Sequence, residues 1–414
     1  MEDSIFKVNK IIKDNNTITY EYETSGLWNN FINKDKIYFS QYMDKITNID
    51  DSIAILPLLT NILPVAWVFN LNIDIPTIDK EFEDGLKYVK LGYQNMYPNI
   101  EMRGKIKYKK IIKNNNKAEN SAVMFSGGVD AYNTLIKHID EKPYIFTIFG
   151  ADIALEDKIG YKNVNENSIS VAKKHGLEYK NVISNFRQVI NYSEIMKELS
   201  KICTFEWWHD FQHGIALLGL VAPYTQTCSL KHVYIASSFT KEQIGQYTCA
   251  SDPTIYNFVA FGNTKTIHDG YEFNRQQKIQ NICEYVRANR QKINLRVCWQ
   301  SSGGKNCCEC EKCYRTIMGI IAEKENPQNY GFDLTEYKYR KMLKKLPKIF
   351  KYSLNRYKPI QERFLKNYKN DEIPEELKWI TKIHIKSKKN KFLILYEKFM
   401  LCLKKIIKKI IRWK

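Results

Sequence analysis

No apolar stretch opens this 414-residue chain: MEDSIFKVNK is polar and mixed in charge. No secretory leader is therefore expected, and the body reads as cytoplasmic. Cysteine is scarce for a disulfide scaffold, at ten residues, and five of these crowd into residues 298–313. Without a secretion signal such crowding points to metal binding. Long uncharged runs are few. One is Ile53–Ile73, which Pro57 and Pro64 interrupt and Thr60, Asn61, Asn70 and Asn72 make polar. These residues are costly in lipid, so a buried, kinked helical segment is expected and not a membrane span. Absent as well are the phosphate-loop pattern GxxxxGK[ST] and the dinucleotide pattern GxGxxG.

What is present is Ala122-Val-Met-Phe-Ser-Gly-Gly-Val-Asp-Ala131. Ala122–Phe125 reads as the end of a buried strand, Ser126-Gly127-Gly128 as a turn, and Ala131–Ile139 as a helix. A strand passing through glycines into a helix start leaves several N–H groups aimed at one spot, with the positive end of the helix dipole behind them. Ser126 adds a hydroxyl donor. Asp130, itself anionic, suits capping or Mg²⁺ better than direct phosphate contact.

From residue 121 strands and helices alternate. Tyr144–Phe149, Glu178–Ile183 and Val233–Ala236 read as buried strands; 165–176, 211–222 and a stretch from about Asn274 read as helices. The rhythm implies a parallel sheet with right-handed crossovers and ligands gathered at the strand C-termini. The positions there are Ser126–Asp130, Gly150–Asp152, Asn185–Arg187 and Ser237-Ser238. Asn185, His213, and His268, Asp269 and Arg275 in a glycine-containing loop are the substrate-side candidates. A cation in that loop suits a phosphate or a carboxylate. Ahead of this lies an expected α+β domain, residues 1–112, with strands at Asn16–Thr24 and Lys36–Ser40 and a polar linker at 113–120.

Residues 298–313 read CWQSSGGKNCCECEKC. Cys298, Cys307, Cys310 and Cys313 are spaced C-x8-C-x2-C-x2-C, with Gly303-Gly304 able to turn the chain back. Four thiolates satisfy Zn²⁺ tetrahedrally and leave no open position, which is a structural role. Cys308 is the spare. An iron–sulfur cluster is the rival occupant.

The SGGVD turn in its strand–helix setting resembles the PP-loop of the ATP pyrophosphatase superfamily, whose pattern is SGGxD followed by Ser or Thr; here residue 131 is Ala. The cysteine pattern C-terminal to it resembles 7-cyano-7-deazaguanine synthases. The resemblance covers about residues 121–320. It implies a Rossmann-like (HUP/PP-loop) three-layer α/β domain over 121–325, including the zinc segment. It also implies ATP with Mg²⁺ on Ser126, Gly127, Gly128, Val129 and Asp130, with Ser126 and Asp130 catalytic. The turn Phe149, Gly150, Ala151, Asp152 and Ile153 would hold the adenine edge. The reaction implied is adenylation of a small-molecule carboxylate or amide oxygen, with release of AMP and pyrophosphate, for nitrogen insertion. Thr134, one turn on, is placed to replace the hydroxyl missing at 131. A tRNA-thiolating enzyme and a non-catalytic ATP sensor are the alternatives.

Net charge is +19, and +10 of it lies in residues 386–414, which hold eleven Lys/Arg and one Glu. After a helical region at 326–385, this tail places Leu403, Ile406, Ile407, Ile410 and Trp413 on one helical side with lysines opposite. That profile suits an anionic membrane surface, with RNA the lesser expectation.

Overall fold

The computed structural model describes residues 4–203, 205–298, 303–352 and 354–382. The expected basic tail at 386–414 lies outside the described residues. Two compact units are found: Met1–Cys307 with Asn329–Phe332, and Cys308–Gln328 with the chain from Asp333 onward.

The first unit is built on one sheet of eleven strands. They are β1 (Ile5–Asp14), β2 (Thr17–Thr24), β3 (Phe39–Tyr42), β4 (Asn72–Asp79), β5 (Ile106–Ile112), β6 (Asn120–Met124), β7 (Tyr144–Phe149), β8 (Tyr179–Ser184), β9 (Leu230–Ala236), β10 (Ala260–Phe261) and β11 (Thr264–Asp269). Their spatial order is β10-β11-β9-β6-β7-β8-β3-β2-β1-β4-β5. The run β11-β9-β6-β7-β8 is parallel throughout. Within it the chain goes from β6 outward to β7 and β8, then returns to the other side for β9 and β11. Strand order thus reverses at β6, and a crevice opens beside the C-terminal end of such a strand.

Residues 1–112 do not make a sheet of their own. β3 pairs antiparallel with β8, Ser40 opposite Ser184, and β2 and β1 follow antiparallel. β4 and β5 then add a second parallel block. The segment expected as a linker, 113–120, carries no break in this sheet: Asn116 and Asn120 side chains bond the carbonyls of Gly262 and Cys228.

The uncharged run around Ile53–Ile73 forms the helices Asp51–Ala54 and Leu56–Phe69 and then enters β4. Every residue from Leu56 to Val68 is buried. Its polar groups are met inside the protein: Asn61 donates to the Phe186 carbonyl (2.8 Å) and accepts from Gln212, while Thr60 bonds the Leu56 carbonyl. Asn70 ends the helix in the left-handed region, φ 57°. No helix among the described residues is long and apolar enough to cross a membrane.

The second unit is helical, with Glu311–Ala322, Glu336–Tyr352 and Leu354–Asn367. Arg363 grips the buried Glu323 through two parallel bonds of 2.8 Å. A fork-to-fork pair of this kind keeps a carboxylate satisfied out of water.

Candidate functional site

The turn after β6 forms as its residues dictate. Phe125 still donates to the Phe146 carbonyl of β7 (2.7 Å), and Gly127 then takes φ +76°, where a side chain would be strained. Gly128 is the N-cap of the helix Val129–Lys137, and no side chain caps that end. The Ser126 hydroxyl lies 3.4 Å from the Gly128 amide. Amides without a side-chain cap at the start of a helix, at the point where strand order reverses, make an anion-binding geometry.

Cations surround this turn. Asp130 pairs with Arg275 through Oδ2 (3.1 Å) and with Lys278 through Oδ1 (3.0 Å). Lys278 is 2 % exposed and also bonds the Ser237 carbonyl at the end of β9. Both cations stand on one face of the helix Arg275–Ala288, which Asn274 and Gln277 cap reciprocally. A third cation, Arg296, donates its backbone N–H to the Gly127 carbonyl (2.7 Å) and its Nη1 to the Ser126 carbonyl (3.2 Å). The sequence motif reaches Arg275 but misses Lys278 and Arg296. The i,i+3 spacing of Arg275 and Lys278 was the readable signal for Lys278; for Arg296, 170 residues from Ser126, there was none.

The turn after β7 is tight. Gly150 has φ +94°, and a Cβ there would lie 1.8 Å from the Ser184 carbonyl oxygen. The Gly150 amide closes the turn onto Ile153, and Phe149 and Ile153 bury their side chains with Val164. Asp152 is exposed. Arg187, just past β8, bonds the Ala151 carbonyl (2.8 Å) and lies 4.1 Å over the Trp208 ring. His213 begins the helix His213–Val221, edge-on to Trp208. Its Nδ1 is buried without a hydrogen-bond partner among the described residues, and burial pushes its pKa down to about 4.

Three expectations change. Asn185 does not face a ligand: it accepts from the Phe39 amide and donates to the Ile37 carbonyl, fastening β3 to β8. His268 and Asp269 close strand β11 and are not loop residues. Asp269 binds Thr134 (2.8 Å), Lys137 (2.9 Å) and His138 (3.1 Å). Burial raises its pKa, but these bonds outweigh that and hold the carboxyl down at about 2. Thr134 is thereby spent on Asp269 and is not available to a phosphate. A cavity of about 620 Å³ opens along β11 and not over the glycine turn; Lys241, Lys265 and His268 are among its lining residues.

Cys298, Cys307, Cys310 and Cys313 come together, their sulfurs all within 4.8 Å of one another. Cys298, Cys310 and Cys313 are buried and Cys307 is partly so. Cys310 caps the helix Glu311–Ala322, and its sulfur accepts from the Cys313 amide. Asn306 holds the Val297 and Cys298 amides, while Gly303 and Gly304, both at positive φ, turn the chain back as expected. Four sulfurs about one Zn²⁺ would stand about 3.8 Å apart, given Zn–S bonds of about 2.3 Å. The group can hold a metal such as zinc. Cys308 is buried and is not one of the four.

No family model matches the chain, and no curated protein or solved structure matches it either.

Proposed function

We propose that the protein cleaves ATP between the α and β phosphates and adenylates a carboxylate or amide oxygen for nitrogen insertion, in the manner of PP-loop enzymes resembling 7-cyano-7-deazaguanine synthase. The observation that carries this reading is the Ser126–Asp130 turn, placed where strand order reverses and flanked by Arg275, Lys278 and Arg296. The strand order β8-β7-β6-β9-β11 also suits a Rossmann-like, three-layer domain.

In this reading the uncapped helix start, Ser126 and the glycine amides receive the β and γ phosphates. The acceptor oxygen attacks the α phosphorus, and the bond to the bridging oxygen breaks. Pyrophosphate leaves with the electron pair, its growing charge met by fixed amides and by Lys278 and Arg275. Ammonia then displaces AMP at the acyl carbon. Both Asp130 oxygens already face cations, so Asp130 positions Arg275 and Lys278, and the phosphates themselves hold Mg²⁺. The four cysteines fit one zinc ion better than a cluster, since thiolates on separate irons would stand farther apart; its role is structural.

The test is nucleotide product analysis with Mg²⁺-ATP, 7-carboxy-7-deazaguanine and ammonium. AMP and pyrophosphate should appear only with the carboxylate. Ser126→Ala and Lys278→Ala should each slow the reaction by about 10²–10³. Release of ADP and phosphate would sink α–β cleavage. One observation favours a second reading, a sensor that binds ATP without turnover: Ala131 lacks the hydroxyl, and Thr134 is committed to Asp269. Tight ATP binding with no cleavage would select it.

A further inference from the structure

β6, β7 and β8 are neighbours, and their C-terminal turns line one side of the crevice. Each of two adjacent turns is held by an arginine from elsewhere in the chain. Arg296 binds the Ser126 carbonyl of the first turn, and Arg187 binds the Ala151 carbonyl of the second. A single carbonyl uses one N–H of each guanidinium, leaving most of the fork unspent. The Arg296 Nε is buried and without a hydrogen-bond partner among the described residues. Asp152 lies close enough to offset part of what burial costs the charge of both arginines. Yet it forms an ion pair with neither among the described residues.

Two partly buried guanidiniums, under-used and anchored by backbone, are an arrangement that awaits an anion. Shape and charge set which one. Planar guanidinium forks match a planar carboxylate, and Asp152, Asp157 and Glu206, which already act on the two arginines, disfavour the extra charge of a phosphate dianion.

We propose that Arg187 and Arg296 form a carboxylate clamp that seats the acceptor substrate beside the Ser126–Gly128 turn, with His213 and Trp208 as its wall. This rests on the adenylating reading and supplies its second substrate site. The clamp lies on the β7–β8 side of the turn, whereas Arg275 and Lys278 come from the helix after β11. One pair serves the acceptor and the other the phosphates.

The experiment is calorimetric titration of the full chain, saturated with α,β-methylene-ATP, with 7-carboxy-7-deazaguanine and with benzoate, each against its primary carboxamide. Wild type should bind a carboxylate and discriminate against the amide. Arg187→Gln should weaken carboxylate binding ~10- to 100-fold while keeping nucleotide affinity within about twofold; Arg296→Gln should weaken carboxylate binding by as much and, because Arg296 also braces the Ser126 turn, lower nucleotide affinity as well. Lys278→Gln should do the reverse of Arg187→Gln. Thermal melts establish that each variant is folded; should a Gln variant not fold, the Arg→Lys variants carry the test and should lose part of the carboxylate affinity. The clamp is overturned if wild type binds neither carboxylate, if acid and amide bind alike, or if the arginine variants bind carboxylate as wild type does. Loss of carboxylate binding in the variants, in an enzyme that never forms AMP, would keep the clamp and reject adenylation.

Discussion

Single residues divide here into those that hold the fold and those left with something to offer. Asn185 belongs to the first kind, since both ends of its amide fasten backbone groups of the segment entering β3. Asn185→Leu should therefore cost roughly 2 to 4 kcal/mol in urea unfolding, with nucleotide affinity unchanged in the folded fraction. His268 gives a pH signature. It is 2 % exposed, neither ring nitrogen has a partner among the described residues, and burial lowers its pKa to about 4. The unfolded chain takes up this proton near pH 6.5, the native one near 4. Stability is thus full above about 6.5 and falls as pH drops toward 4, by on the order of 3 kcal/mol for this group. His213 titrates in the same window. His268→Phe should reduce the pH dependence of the melting free energy there without abolishing it, since burial also lowers His175 and His232; an unchanged slope would show that His268 is not held neutral.

At the scale of elements, the strand–turn–helix at 120–137 and the strand at 144–149 were legible because every cue was local: an apolar run, a glycine turn, a helical repeat. The helix end at Gly176 was legible for the same reason, and there the residue indeed takes φ +63°. β1, β4 and β5 were not. β1 and β5 carry lysines at outer positions, β4 alternates apolar residues with Asn72, Asp74 and Thr77, and the β1–β4 and β4–β5 pairings are distant in sequence, so no short window shows what buries them. The role of Asn185 was hidden likewise, because nothing near it announces β3, whose Phe39 is 146 residues away. Gly150 lets two elements touch. Gly150→Ala would drive a methyl into the Ser184 carbonyl, separating the β7 turn from β8. It should lower stability by at least about 2 kcal/mol and weaken nucleotide binding; a native-like melt would contradict the close approach.

At the scale of the whole molecule, the cysteine group fixes the chain between Cys298 and Cys313. Metal analysis should return one zinc per chain, and Cys310→Ser or chelation should abolish it and lower the melting temperature while leaving the strands of residues 4–269 intact by circular dichroism. The single sheet has a consequence in time. β3 lies near residue 40, yet the strand it pairs with ends at Ser184, 144 residues later. On a ribosome adding 5–20 residues per second, β3 waits roughly 7 to 29 s with one edge bare. Such a strand is prone to wrong partners, so the N-terminal block is expected to be the chain's hazard during synthesis, and its solubility when expressed alone should be poor.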